Sequence, residues 1–108
     1  MALIVIAWDL PPAEQIDYYN EKSSSWISMV LNQPELGQFR GYRNAFRTTP
    51  MAMIHLEFDI LASCLKFIES EDYALLEYEM RASGVTNMGV QRWSPSPVIP
   101  QPLSPTNG

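Results

Sequence analysis

Cysteine and histidine each occur once, at Cys64 and His55. A lone cysteine excludes an intrachain disulfide, and its apolar helical setting beside Leu65, Phe67 and Ile68 marks a buried thiol rather than a nucleophile. With one histidine and no second His or Cys at ligand spacing, no metal site is expected, and several cysteines would be needed for an iron–sulfur cluster. No cofactor is expected either. Basic residues are scarce: seven Lys and Arg stand against twelve Asp and Glu, for a formal charge of −5. Such a surface repels phosphate backbones and anionic headgroups, so no nucleic acid and no membrane partner is expected. Long apolar runs are missing too. The run Met1-Ala2-Leu3-Ile4-Val5-Ile6-Ala7-Trp8 meets Asp9, has no basic flank, and is too short for a signal sequence or a membrane span. A cytoplasmic location follows as an expectation.

What is present is patterning. The 108 residues fit one domain, and a chain of this size buries only about two-thirds of its unfolded surface. Residues 2 to 9, rich in β-branched side chains and stopped by Asp9-Leu10-Pro11-Pro12, predict a strand buried on both faces. Ile16, Tyr19, Trp26, Ile27, Val30 and Leu31 recur at helical spacing, which predicts a helix from about Ala13 to Leu31 with Pro12 at its start. Gln38 to Phe46 alternates and predicts strand two; after Thr48-Thr49-Pro50, Met51 to Phe58 predicts strand three, paired with it as a hairpin. Asp59 is an expected N-cap for a helix carrying Cys64, Leu65, Phe67 and Ile68, and Ser70 recaps it for a stretch through Tyr73, Leu76 and Met80. Ser83-Gly84 ends that stretch, with glycine suited to a left-handed position. Val85 to Trp93 predicts strand four. Residues 94–108 form a proline-rich tail that cannot continue a ladder, because each proline lacks an N–H donor.

Strand, helix, strand, strand, broken helix, strand is the order of a ferredoxin-like βαββαβ domain over residues 1–93. With right-handed crossovers it gives an α+β fold: a four-stranded antiparallel sheet with the helices on one face. If the apolar set Ala52, Ile54, Leu56 and Phe58 packs under the helices, then Met51, Met53, His55 and Glu57 point to the uncovered side. Strand two would bring Arg40, Tyr42 and Asn44 beside them. Strand one presents either Ile4, Ile6 and Trp8 or Leu3, Val5 and Ala7 there, and since both sets are apolar the pattern leaves that choice open. So large an apolar face requires cover, and a second copy of the chain would turn it into an apolar chamber with a few polar groups.

Within that chamber His55 and Glu57, two apart on one strand, project the same way. The carboxylate could set the imidazole's tautomer and make it a general base. The alternative is an interior histidine with no chemical role, Glu57 being the partner of Arg40 or Arg92. An RNA-recognition motif wants a basic, aromatic third strand, which Met51-Ala52-Met53-Ile54-His55-Leu56-Glu57-Phe58 does not supply. An acylphosphatase-like site needs an anion-binding loop after strand one, where this chain has Asp9-Leu10-Pro11-Pro12.

Four segments carry a resemblance to a known group of proteins: Ile16-Asp17-Tyr18-Tyr19-Asn20-Glu21-Lys22 on helix one, Gly37-Gln38-Phe39-Arg40-Gly41-Tyr42-Arg43 entering strand two, His55-Leu56-Glu57-Phe58-Asp59 closing strand three, and Ser70-Glu71-Asp72-Tyr73 at the last helix. In this order, over roughly residues 2 to 93, they resemble the dimeric α/β-barrel superfamily, nearest its EthD-like and antibiotic-biosynthesis-monooxygenase-like proteins. The resemblance implies two sheets packed face to face in a homodimer, and membership among cofactor-independent oxygenases, cyclases, isomerases and degradative enzymes of small, often aromatic compounds. EthD-like sequences often carry a histidine shortly after the paired aromatics of helix one, where this chain has Lys22-Ser23-Ser24-Ser25. His55, on a strand, does not inherit that role.

Two functions are therefore carried forward. In the first, each chamber binds an apolar or aromatic metabolite, His55 transfers a proton, Glu57 orients it, Arg40, Tyr42 and Asn44 bind the ligand, and Trp8, Met53 and Trp93 shape the wall. In the second, the dimer is a non-catalytic ligand-binding or accessory protein whose tail docks across the neighbouring subunit through Val98, Ile99 and Leu103.

Overall fold

The computed structural model describes residues 1–106. Its elements are β1 (Ala2–Asp9), α1 (Ile16–Leu31) entered through a short 3-10 helix at Ala13–Gln15, β2 (Leu36–Arg43), β3 (Ala52–Phe58), α2 (Leu61–Ile68), α3 (Glu71–Ala82) and β4 (Thr86–Trp93). The strands form one sheet in the order β2-β3-β1-β4, with every neighbouring pair antiparallel. This is the expected βαββαβ arrangement.

The two-residue period of the strands decides which side chains meet the helices. On β1 the residues Ala2, Ile4, Ile6 and Trp8 are buried, as are Ala52, Leu56 and Phe58 on β3. They form one core with Tyr19, Trp26 and Val30 of α1, Cys64 and Phe67 of α2, and Tyr73, Leu76 and Met80 of α3. Ile4, Ile6 and Leu56 are wholly inaccessible, and full burial of each such side chain contributes about 1.5–3 kcal/mol. The open choice on β1 is thereby decided. Leu3, Val5 and Ala7 take the uncovered face, and Trp8 lies beneath the helices.

Helix ends follow local chemistry. Ser70 caps α3, its hydroxyl accepting from the Tyr73 N–H at 3.2 Å. Gly84 stands at φ +98° just past the end of α3, and its N–H reaches the Arg81 carbonyl at 3.1 Å. Asp59 does not cap α2: the cap position is Ile60, without a side-chain bond. On α1, Ile27 and Leu31 are exposed rather than buried.

The hairpin also differs from expectation. Strand β2 runs from Leu36 to Arg43 and not to Phe46, because Asn44 bends the chain. Its side-chain amide donates to the Thr48 and Pro50 carbonyls at 3.1 and 3.0 Å, while its carbonyl accepts from the Phe46 N–H at 3.0 Å. Local bonds of this kind compete with a ladder. Beyond β4, Val98 and Leu103 are exposed, and the Val98 and Ile99 amides donate to Ser96 Oγ. The last two tail residues lie outside the described residues.

Asp9, at the end of β1, ties three segments together. Its carboxylate accepts from Asn87 Nδ2 at 2.6 Å, Thr49 Oγ1 at 2.7 Å and the Met51 N–H at 3.1 Å. It thus joins β1 to the β2–β3 loop and to the start of β4, where Asn87 takes a left-handed conformation (φ 51°) and the β1–β4 register shifts. The Asn87 and Thr49 hydrogen bonds, with the Met51 amide, hold its carboxyl below the ordinary value of 3.8. A carboxyl lowered on folding stabilises the fold above its unfolded pKa and loses that contribution as pH falls through the folded value. Asp9→Ala should therefore melt below the wild type at neutral pH, and thermal melts should show the gap closing as pH drops beneath 3.8. A gap that persists unchanged in acid would show that the carboxylate's charge is not what holds the three segments.

Candidate functional site

The strand registers lay out the uncovered face as a grid. One row reads Gln38, Glu57, Leu3 and Trp93; the next Arg40, His55, Val5 and Gln91; the third Tyr42, Met53, Ala7 and Gly89. Four of the expected site residues are thus brought together. Arg40, Tyr42, His55 and Glu57 line a shallow depression of about 240 Å³ with Met1, Leu3 and Gln38. The Tyr42 and His55 rings lie 4.8 Å apart, tilted by 52°. Among the described residues, no side-chain hydrogen bond or ion pair involves Arg40, His55 or Glu57, so Glu57 is not seen orienting the imidazole and Arg40 is not its partner.

Met53 belongs to the same face, one row on. Two expected members do not join it. Asn44 is occupied inside the hairpin loop, as described above, and Trp8 sits on the opposite side of the sheet. Trp8 does line a cavity, however: a larger one that the sequence reading did not locate.

This second cavity, about 300 Å³, opens between α1 and the β2–β3 edge of the sheet. Trp8, Tyr19 and Trp26 wall its inner end, Phe39, Gly41 and Ile54 form its strand side, and Asn20, Ser23 and Arg43 supply polar groups. Its existence follows from sheet order and residue size. β2 is an edge strand, and on its helix-facing side it presents Gly41, where an added Cβ would meet only Ile54 Cγ2, at 4.0 Å. Ring positions at the inner end are set by Trp8 Nε1, which donates to the Tyr19 hydroxyl at 3.1 Å, and by an edge-on contact of the Tyr19 and Trp26 rings at 5.6 Å. Trp26 Nε1 in turn points at Glu79 Oε1, 3.4 Å away. The available signal in the sequence was the coincidence of three large aromatics with a glycine on the facing strand; helical periodicity placed Tyr19 and Trp26 in packing, and alternation left Trp8 open between the two faces of β1.

An apolar cleft with a few fixed polar groups is the usual form of a small-molecule site. Cys64 takes no part: it is fully buried, and burial pushes its thiol up.

No protein-family model and no curated protein matches the sequence. Solved structures do. A Deinococcus radiodurans protein provisionally assigned as an antibiotic biosynthesis monooxygenase superposes with a TM-score of 0.76 at 7% identity, covering 99% of this chain and 100% of that one. The fold is ferredoxin-like, as in a Mesorhizobium loti protein that matches with a TM-score of 0.72 at 10% identity, over 88% of this chain and 96% of that one. SnoaB of Streptomyces nogalater, a cofactor-independent oxygenase, shares this fold with a TM-score of 0.69 at 9% identity, over 93% of this chain and 97% of its own. A dimeric ferredoxin-like protein of unknown function from a Jannaschia species matches at 0.67 and 13% identity, over 86% and 97%. At such identities the likeness defines the ferredoxin-like fold and carries no residue roles.

Gly41 offers a direct check on the larger cavity. Gly41→Leu meets no backbone obstacle and fills the strand side of the cleft. Its melting temperature should stay near that of the wild type, since substitutions at open positions usually shift stability by no more than about 0.5 kcal/mol. Equilibrium dialysis should show retention of a naphthalene-sized apolar probe falling at least about tenfold, the factor that about 1.4 kcal/mol of lost burial represents. Undiminished retention would place the bound probe elsewhere.

Proposed function

We propose that this chain is a cytoplasmic homodimer that binds an apolar or aromatic small molecule in the cleft between α1 and the β2–β3 edge, with the uncovered sheet faces of two copies packed together. The observation that carries the ligand reading is the cleft itself: three aromatic rings held by named contacts face a glycine across an open space of about 300 Å³. The dimer reading rests on the grid of the open face. Leu3, Val5, Ala7 and Met53 form its centre, and an apolar centre with a polar border is the anatomy of a subunit interface. The dimeric Jannaschia neighbour supports the same arrangement. Among the described residues no helix is long and apolar enough to cross a membrane.

Val5 lies at the middle of that face, opposite His55 on one side and Gln91 on the other. Val5→Glu leaves the core untouched but places a carboxylate in the interface, where an unpaired buried charge costs several kcal/mol. Light scattering should find the wild type dimeric and the variant monomeric with unchanged far-ultraviolet circular dichroism. A Val5→Glu protein as dimeric as its parent would remove the face from the interface.

A second reading is favoured by the depression around His55, where the ring of Tyr42 stacks obliquely on the imidazole and Arg40 and Glu57 stand uncommitted. Here the protein is an enzyme, a cofactor-independent oxygenase, cyclase or isomerase, with its ligand enclosed between the two sheets. His55 accepts a proton from the ligand, and Arg40 stabilises the anion that forms. SnoaB, a cofactor-independent oxygenase of the same fold, supports this class of chemistry. General-base removal typically costs a factor of about 10²–10⁴, so His55→Ala should lower turnover of an aromatic substrate by that much. Unchanged turnover in the variant would return His55 to a purely structural place on the interface.

A further inference from the structure

The polar groups of the larger cleft are unequal in what they still have to give. The Asn20 and Arg43 side chains are exposed and have water to bond to, and the Ser23 hydroxyl donates to the Asn20 carbonyl at 2.7 Å. At its inner end both indole N–H groups are spent, Trp8 on Tyr19 and Trp26 on Glu79. The Tyr19 hydroxyl differs. It accepts the Trp8 proton, yet among the described residues no protein atom accepts its own, although the residue is only 6% exposed. A phenol has one proton to donate and two lone pairs, so the Trp8 bond leaves the donor free. Accepting a hydrogen bond also polarises the O–H and strengthens what it donates. The ring cannot swing out to seek water, because Trp26 packs edge-on against it.

We infer that Tyr19 is the hydrogen-bond donor that selects the ligand of this cleft, and that the ligand is a neutral apolar molecule carrying one acceptor oxygen, such as a ketone. The inference rests on the proposed cleft as the binding site and adds the chemical class that site takes. A hydrocarbon entering the cleft strips water from the hydroxyl and leaves a buried donor unpaired. A carbonyl oxygen restores the bond, and a net hydrogen bond of this kind separates two otherwise equal ligands by about tenfold.

The test compares 2-acetylnaphthalene with 2-isopropenylnaphthalene, which replaces the carbonyl oxygen by a methylene of similar shape, using equilibrium dialysis against the full chain. The wild type should hold the ketone about tenfold more tightly. Tyr19→Phe, which removes the donor, should lose the preference. Equal binding of the two probes by the wild type, or a preference that survives in Tyr19→Phe, overturns the assignment of Tyr19 while leaving the cleft as a binding site. Binding of neither probe by the wild type overturns the cleft reading, and this inference with it. If Tyr19→Phe does not fold, the infrared carbonyl band of 2-acetylnaphthalene bound to the wild type decides. A band below its position in an apolar solvent supports the donor, and an unshifted band overturns it.

Discussion

The position of β1 in the middle of the sheet, apolar on both faces, is the constraint on which the rest of the molecule depends. A strand flanked by β3 and β4 and alternating between Ile4, Ile6 and Trp8 on one side and Leu3, Val5 and Ala7 on the other gives the protein two apolar surfaces from eight residues. The helices can cover only one. A slip of one residue would exchange the two sets, replacing Ile4 and Ile6 in the core by Leu3 and Val5 and turning the Trp8 indole away from Tyr19. Asp9 opposes such a slip at the end of the strand, through its bonds to the hairpin loop and to β4. The Trp8–Tyr19 bond opposes it from the core. The cleft and the open face are therefore consequences of one register.

Most of the fold was legible in the sequence because its signals are local. Alternation located three of the four strands to within a residue or so, and Ser70 and Gly84 marked the two ends of α3 through side-chain and backbone chemistry that operates within a few residues. Where expectation failed, a local rule met a stronger neighbour. Asn44 and Phe46 continue the alternation of β2 on paper, yet the Asn44 amide gathers Thr48, Pro50 and Phe46 into a loop and ends the ladder. Asp59 has the chemistry of a cap, but the helix begins two residues beyond it.

The site was legible in a different proportion. His55, Glu57, Arg40 and Tyr42 could be grouped because strand period and hairpin pairing place them in adjacent rows. Trp8 could not be assigned, since both faces of β1 are apolar and hydrophobicity carries no information when the alternatives are equal. The larger cleft was illegible for another reason. It depends on β2 being the edge strand and on Gly41 standing opposite three rings brought in by β1 and α1, which no local pattern encodes.

The two faces also differ in their polar groups, although the cleft has one charged residue, Arg43, in an exposed part of its lining. Arg40, His55 and Glu57 lie on the open face, where covering an unpaired guanidinium or carboxylate with an apolar ligand would cost more than the contact returns. A second copy would meet that cost differently. Under two-fold symmetry the face would pack against itself, so a surface carrying both signs could satisfy each with the other. The cleft on the helix side contains Tyr19 at depth, neutral and already accepting from Trp8, among aromatic and aliphatic walls. Desolvating a neutral donor costs far less than desolvating an ion, and a single oxygen recovers it. On the proposed reading the charged face packs against a second copy and the neutral inner end of the cleft takes a neutral small molecule, with β1 supplying a wall to both.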